Sequence, residues 1–413
     1  MKTTSPHLQP SRLRPPGDAG TVRYIYAARA CRDFGDGFIA VLLPVYLTAI
    51  GLGPLEVGIV ATLALLGSAL TTLGIGLLGA AWDRRKLLMA ASALMTATGV
   101  AFACSTTYAA ILLVALLGTI NPSAGSVSIF VPLEHAALSH AVSDADRTGM
   151  FARYSLIGAL AAALGSFGAA TPEFLATLGV SETTALRAMF VAYAALGIAG
   201  GILYARTSPA TTPLAEARAA VLGPSRSIVY KMAALFSIDA FAGGFAVQSL
   251  IALWLFTRFD LSLYAAGLFF FWSGVLAAFS FPVAAWLSRR IGLVNTMVFT
   301  HIPSSVCLVL AAIALNVETA LVLLLVRAAL SQMDVPTRSS YVMAVVTPAE
   351  RPAAASVTSV PRSLAAAASP AIAGALFASG LQAWPLIICG VLKILYDVAL
   401  LWTFRHIKPP EER

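Results

Sequence analysis

Charge is what this sequence lacks. Only 11% of its 413 residues are Asp, Glu, Lys or Arg, where a soluble globular chain carries about 25%. Hydrophobic residues make up 59% and mean hydropathy is +0.84, so the polar side chains cannot cover even two large soluble domains. An ordinary soluble enzyme is thereby excluded. So is disorder as the main state, which needs low hydrophobicity and high net charge. Cysteine is scarce as well. Cys31, Cys104, Cys307 and Cys389 stand singly in apolar stretches, without the paired spacing of a disulfide framework or metal site. No GxxxxGK[ST] phosphate loop, GxSxG turn or HExxH pair occurs. No cofactor, no ATP and no catalytic residue is therefore expected, and the chain is not read as an enzyme. The net charge of +8 comes without a basic patch interleaved with aromatics, so no nucleic-acid partner is expected.

Long apolar runs are abundant. A spanning helix needs about 20 mostly apolar residues, and twelve such windows fit: 24–50, 55–79, 87–105, 108–132, 148–170, 186–205, 228–256, 263–287, 293–314, 319–343, 353–378 and 384–404. Residues 1–22 are Pro-rich and basic without the apolar core of a signal peptide, and read as a cytoplasmic tail. Lys and Arg gather on the same side as that tail. Arg84, Arg85 and Lys86 follow span 2, Arg289 and Arg290 follow span 8, and Arg405, Lys408 and Arg413 close the chain. The other side offers Arg258 and, at a span edge, Arg187. Positive charge stays inside, so both termini are expected in the cytoplasm.

The chain also reads as doubled. Residues 207–226 are the one long polar interruption, and landmarks recur across it. Asp33 in span 1 matches Asp239 in span 7 at an offset of 206, and Arg84–Arg85 match Arg289–Arg290 at 205. The expected organisation is a tail (1–22), a six-helix half (23–206), a cytoplasmic linker (207–226), a second half (227–405) and a tail (406–413).

The loop after span 2 holds Gly79, Asp83, Arg84, Arg85 and Lys86. Together with the two sets of six spans it resembles the major facilitator superfamily of secondary transporters, whose pattern there is Gly-x-x-x-Asp-Arg-x-Gly-Arg-Arg/Lys. The first half of the pattern fits and the second is shortened. The resemblance implies an all-α integral membrane protein of twelve transmembrane helices, and a conformational latch at Gly79, Asp83, Arg84 and Arg85. The span 5 Gly-Pro stretch and span 4 Arg of the superfamily's drug antiporters are absent.

Charged groups at bilayer depth are costly and tend to face a cavity or a partner. Span 10 carries Arg327, Ser331, Asp334, Arg338 and Tyr341, which fall within an arc of roughly 80° on a helix. Span 1 carries Arg29, Arg32, Asp33 and Asp36, span 7 carries Asp239 before Gly243 and Gly244, and span 4 carries Asn121 beside Pro122. A Pro there is expected to kink the helix. Asp33, Asp36, Asn121, Asp239, Arg327, Asp334, Arg338 and Tyr341 are the candidates for a substrate and proton path. Arg362 and the Lys393–Asp397 pair read as structural, and His301 as packed. Glu134, His135, His140, Asp144 and Asp146 read as an inner loop, and no metal is expected.

The expected function is secondary active transport by alternating access across a bacterial-type inner membrane, coupled to protons or another ion. The solute is a small organic molecule, with export ahead of uptake. An organic-anion uptake or exchange carrier is the alternative, followed by a membrane-embedded enzyme or a binding-only sensor.

Overall fold

The structure, a computed structural model, describes residues 19–78, 82–123, 128–141, 147–208, 222–347, 350–405 and 407. Among these residues it is wholly helical. The first half holds α1 (Ala19–Ala49), α2 (Pro54–Leu78), α3 (Arg84–Cys104), α4 (Tyr108–Leu117), α5 (Phe130–Ala141), α6 (Arg147–Gly168), α7 (Thr171–Thr177) and α8 (Glu182–Ala205). The second holds α9 (Arg226–Gly244), α10 (Gln248–Phe259), α11 (Leu263–Ile291), α12 (Leu293–Ala312), α13 (Val317–Ser331), α14 (Asp334–Val345), α15 (Arg351–Ala378) and α16 (Trp384–Phe404). Among the described residues, ten helical stretches are long and apolar enough to cross a membrane.

Two of the twelve expected spans fall outside those ten, for different reasons. α1 is long enough at 31 residues, but Arg29, Arg32, Asp33 and Asp36 interrupt its apolar character. Span 4 is not one kinked helix. It divides into α4 and α5, and the backbone between them leaves the helix at Gly118. Pro122 has no N–H to donate and disfavours the helical conformation at Asn121, so a continuous helix is disfavoured here. Spans 7 and 10 are also interrupted, at 245–247 and 332–333. Gly243 and Gly244 precede the first of these, and a Cβ at Gly244 would run into the Ala366 carbonyl and Ser369 of α15. The breaks in spans 4 and 7 meet: Ser249 N–H donates to the Pro122 carbonyl at 3.0 Å. Non-helical backbone at this depth is tolerated where protein covers it.

Across the halves α2 packs on α15 and α6 packs on α11, a reciprocal exchange. At the first contact Gly58 and Gly374 face each other, and a Cβ on Gly58 would lie 2.9 Å from the Gly374 Cα.

The apolar core shows where the halves close. One large cluster joins Leu43, Tyr46, Val60 and Phe190 of the first half to Leu250, Trp254, Phe270 and Leu386 of the second. Its second-half members, and so the joint between the halves, lie at the end away from the chain termini, while first-half members such as Leu88, Leu133 and Tyr204 reach toward the other end. At the terminus-bearing end each half has its own cluster: Ile25, Leu138, Met150 and Tyr154 in the first, Val229, Met297, Tyr341 and Phe404 in the second. The halves are shut at one end and apart at the other.

Candidate functional site

Each half buries a charged cluster between its first helix and the second segment of its broken fourth span. In the first half, Arg29 Nε lies 2.6 Å from Asp33 Oδ2, the i,i+4 pair that helical spacing brings together. Arg32 reaches Asp33 at 3.2 Å and, with Nη1, Glu134 of α5 at 2.9 Å. Glu134 is fully buried. Its carboxylate accepts from Tyr204 Oη of α8 at 2.5 Å and from the Tyr154 hydroxyl of α6. The Arg29 guanidinium lies over the Tyr154 ring and that of Arg32 over Phe130. Burying such a pair costs desolvation that its attraction has to offset, but stripping the carboxylate of its partner is strongly destabilising.

Asp36 differs. It is 2% exposed, no cationic side chain pairs with it, and its side-chain contact is the Tyr193 hydroxyl at 3.4 Å. Tyr193 also has the Thr119 carbonyl at 3.2 Å.

In the second half, Asp239 of α9 is held by Arg338 Nη2 of α14 at 3.1 Å and Lys393 Nζ of α16 at 2.6 Å. Arg338 also pairs with Asp334 one turn back. His301 of α12 puts Nδ1 at 3.0 Å from the Asp397 carboxylate of α16, while Nε2 lies 3.3 Å from Lys393 Nζ. The two halves thus carry matching bridges of opposite polarity. The first helix supplies the cation in Arg32–Glu134 and the anion in Asp239–Arg338. Glu134 precedes Arg338 by 204 positions, close to the 206 between Asp33 and Asp239, and that offset is the sequence signal that could have found it.

Of the residues singled out from sequence, Asp33 joins the first cluster, with Asp36 one turn along α1. Asp239, Asp334 and Arg338 share the second. Arg327 is half-buried on α13, on the far side of the break from Asp334. Tyr341 goes elsewhere: its hydroxyl donates to the Ile407 carbonyl at 3.1 Å and its ring meets Phe404, inside apolar packing. Asn121 Oδ1 accepts from Ser123 N–H at 2.9 Å and shapes the span 4 break.

Gly79 lies outside the described residues. Asp83 caps α3, accepting from Arg85 N–H at 2.9 Å. Arg84 Nη1 donates to the Ala136 carbonyl at 3.2 Å, and Arg85 donates to that of Ala205. These contacts lie within the first half.

Glu134 and His135 sit in α5 and not in a loop, and the His135 ring packs on Phe151 and Tyr154. The side chains of His140, Asp144 and Asp146 lie outside the described ones. His301, Lys393 and Asp397, read from sequence as packing and structural groups, form one connected network. Lys393 and Asp397 stand at i,i+4 and are joined through His301, while Lys393 also binds Asp239.

The comparisons with known proteins agree with this architecture. The family model described as Major Facilitator Superfamily matches residues 25–333. An uncharacterized membrane protein of Saccharomyces cerevisiae, YJR124C, is 22% identical over 93% of this chain and 94% of its own. Among solved structures, a bacterial homolog of the human lysosomal transporter Spinster, inward-facing and occupied, superposes with a TM-score of 0.73 at 15% identity, over 95% of this chain and 98% of that one. The inward-open xylose transporter XylE of E. coli gives 0.71 at 15% identity, with the same coverage.

Proposed function

The chain belongs to the Major Facilitator Superfamily, and on that premise we propose that it is a secondary active transporter that moves a small organic solute by alternating access. Its fold is that of transporters, and it is a multi-pass membrane protein. The observation that carries the reading is the distribution of apolar core. One cluster joins the halves at one end, while each half keeps its own at the other. Two bodies hinged this way can rock, closing the open end as the shared cluster parts. The buried bridges Arg32–Glu134 and Asp239–Arg338 tie each broken fourth span to the first helix of its own half, so each half moves as a unit. We take the chain to have twelve spans, the charged α1 and the divided span 4 joining the ten apolar ones. The terminus-bearing end then faces the cytoplasm, where Lys and Arg concentrate.

Proton coupling is assigned to Asp36. The other intramembrane carboxylates already face a guanidinium, an ammonium or an imidazole, so taking up a proton would break an ion pair or a hydrogen bond. Asp36 faces one hydroxyl, so a proton there removes a buried charge and breaks no bridge.

The test reads distance. Spin labels at Lys86→Cys and Ser340→Cys, on opposite halves at the open end and with the native cysteines replaced, should report two populations in nanodiscs. Lowering the pH should shift their ratio, and Asp36→Asn should abolish that shift. A single distance under all conditions would overturn alternating access. A pH response that survives Asp36→Asn would overturn the coupling role of Asp36 alone. Export, the direction preferred from sequence, is checked by solute uptake into inside-out vesicles.

A further inference from the structure

Two charged side chains have no role in this cycle. Arg327 lies on α13 and Arg362 on α15, and neither guanidinium has a hydrogen-bond or ion-pair partner among the described residues. Their surroundings are otherwise matched. Asp239 takes Arg338 and Lys393, Asp334 takes Arg338, and Asp397 takes His301. Arg338 still leaves Nε and Nη1 without an acceptor. The first half has the opposite excess: Asp33, Asp36 and Glu134 stand against Arg29 and Arg32. The second half is therefore the basic wall.

The setting of Arg362 says where it points. Ser369, seven residues on and so on the same helical face, donates to the Phe241 carbonyl of α9 at 2.5 Å. Arg362 continues that face toward the open end, where it lies within electrostatic reach of Arg338 and Asp239. It is exposed, although those neighbours are buried. A charge at bilayer depth is not left facing lipid, so this exposure is read as facing the gap between the halves. Arg327 is half-buried, Ser304 Oγ donates to its carbonyl at 3.3 Å, and its charge reaches His301 in the same cluster.

Resting on the transport reading, we propose that Arg327 and Arg362 form an anion subsite on the second half, and that the transported solute carries a carboxylate or phosphate group. A guanidinium presents a rigid fork that meets either oxyanion with two hydrogen bonds, and it cannot shed its proton to escape a closing cavity. With the gap open, water solvates both arginines. When the gap closes, that water leaves and each guanidinium needs a counter-charge. The protein carboxylates beside them are already committed, so the solute supplies it. An anion loaded from the cytoplasmic side leaves down an inside-negative membrane potential, which accords with export.

The subsite is tested by thermal unfolding of the full chain in nanodiscs with sodium benzoate, inorganic phosphate or tetraphenylphosphonium chloride at matched ionic strength. At about 10 mM probe, a Kd of about 0.1 mM is saturated and the midpoint moves measurably. Benzoate, phosphate or both should raise the midpoint, which of them acts identifying the oxyanion. Arg327→Gln and Arg362→Gln should each abolish most of the shift, and Arg362→Lys should keep part of it. Arg290→Gln, in the surface notch where Arg290 stacks on Trp286, should leave it intact and serves as the control for surface binding. Stabilisation by the cation alone, by no probe, or by an oxyanion still acting on the Arg327→Gln/Arg362→Gln double variant would each overturn the subsite. A protein that shows both spin-label populations yet meets one of these outcomes refutes the subsite only, whereas one locked distance refutes the transport reading itself.

Discussion

Removing the Arg32 charge while keeping Glu134 should expose how the first half holds together. Glu134 has no solvent contact, and the Arg32 guanidinium 2.9 Å away is its ion-pair partner. In Arg32→Met the carboxylate keeps only the Tyr204 and Tyr154 hydroxyls, with Asp33 still close by. Stranding a buried charge in this way costs about 3–5 kcal/mol. Glu134→Gln removes the negative charge but leaves an oxygen for both tyrosines. The double variant Arg32→Met/Glu134→Gln should therefore be far less damaged than the sum of its parents. The stack of Arg32 on Phe130 is lost in the single and in the double alike, and Asp33 keeps Arg29 in both, so these cancel in the cycle. The coupling energy should be about 1.5–3 kcal/mol. The assay is reversible unfolding in mixed micelles of dodecylmaltoside and SDS. Effects that add within about 0.5 kcal/mol would mean that the pair is not a structural unit, and the argument that it makes the half rigid would fall.

Three further outcomes follow from other parts of the molecule. Glu350, in the loop before α15, accepts from Gly223 N–H at 2.6 Å, Ser225 Oγ at 2.7 Å and Thr347 Oγ1 at 2.6 Å; these bonds, the Thr347 and Ser225 hydroxyls foremost, pull its pKa down from 4.5 to about 2. Its stabilisation is then complete above pH of about 4.5 and lost as the pH falls toward about 2, so the deficit of Glu350→Gln in melting temperature should shrink from pH 7 to pH 3, and a constant deficit refutes the assignment. Gly58→Leu at the seam with Gly374 should destabilise by about 1–3 kcal/mol through overpacking, measured by the same unfolding assay, and an unchanged midpoint would mean that the halves do not pack there. Gln248 Nε2 donates to Ser166 Oγ at 3.1 Å across the closed end; a short bifunctional thiol reagent joining Ser166→Cys to Gln248→Cys should fix the spin-label pair at the open end in its longer distance, and free alternation after cross-linking would place the hinge elsewhere.

Hydropathy made the helical membrane class legible because it is a one-dimensional property. Span length, the polar linker and the 206-residue offset need no three-dimensional knowledge. The breaks were harder. Pro122 announced a bend, but whether the chain kinks or leaves the helix depends on what receives the freed backbone, and that is Ser249 of the other half. Helical phase set Tyr341 on one stripe with Asp334 and Arg338, all three on α14, but the Tyr341 hydroxyl goes to the Ile407 carbonyl, a partner that no periodicity announces. Glu134 and His301 were undervalued for the same reason. Their partners lie 102 and 96 residues away, and only the fold brings them together.

The inverted polarity of the two bridges constrains how such a molecule can work. If the bridges lay on the solute path and exchanged partners in each cycle, every turnover would strand a charge at low dielectric and pay several kcal/mol twice. Keeping each bridge within one half avoids that, and the charges then serve the stiffness of the moving bodies. The groups left to meet a solute or a proton are those without an ion-pair partner in the closed network: Asp36 in the first half, Arg327 and Arg362 in the second. They carry opposite sign and sit on opposite halves, so they face different demands when the gap shuts. Asp36 sheds its charge by taking a proton. The arginines cannot, and must have theirs matched by what they carry.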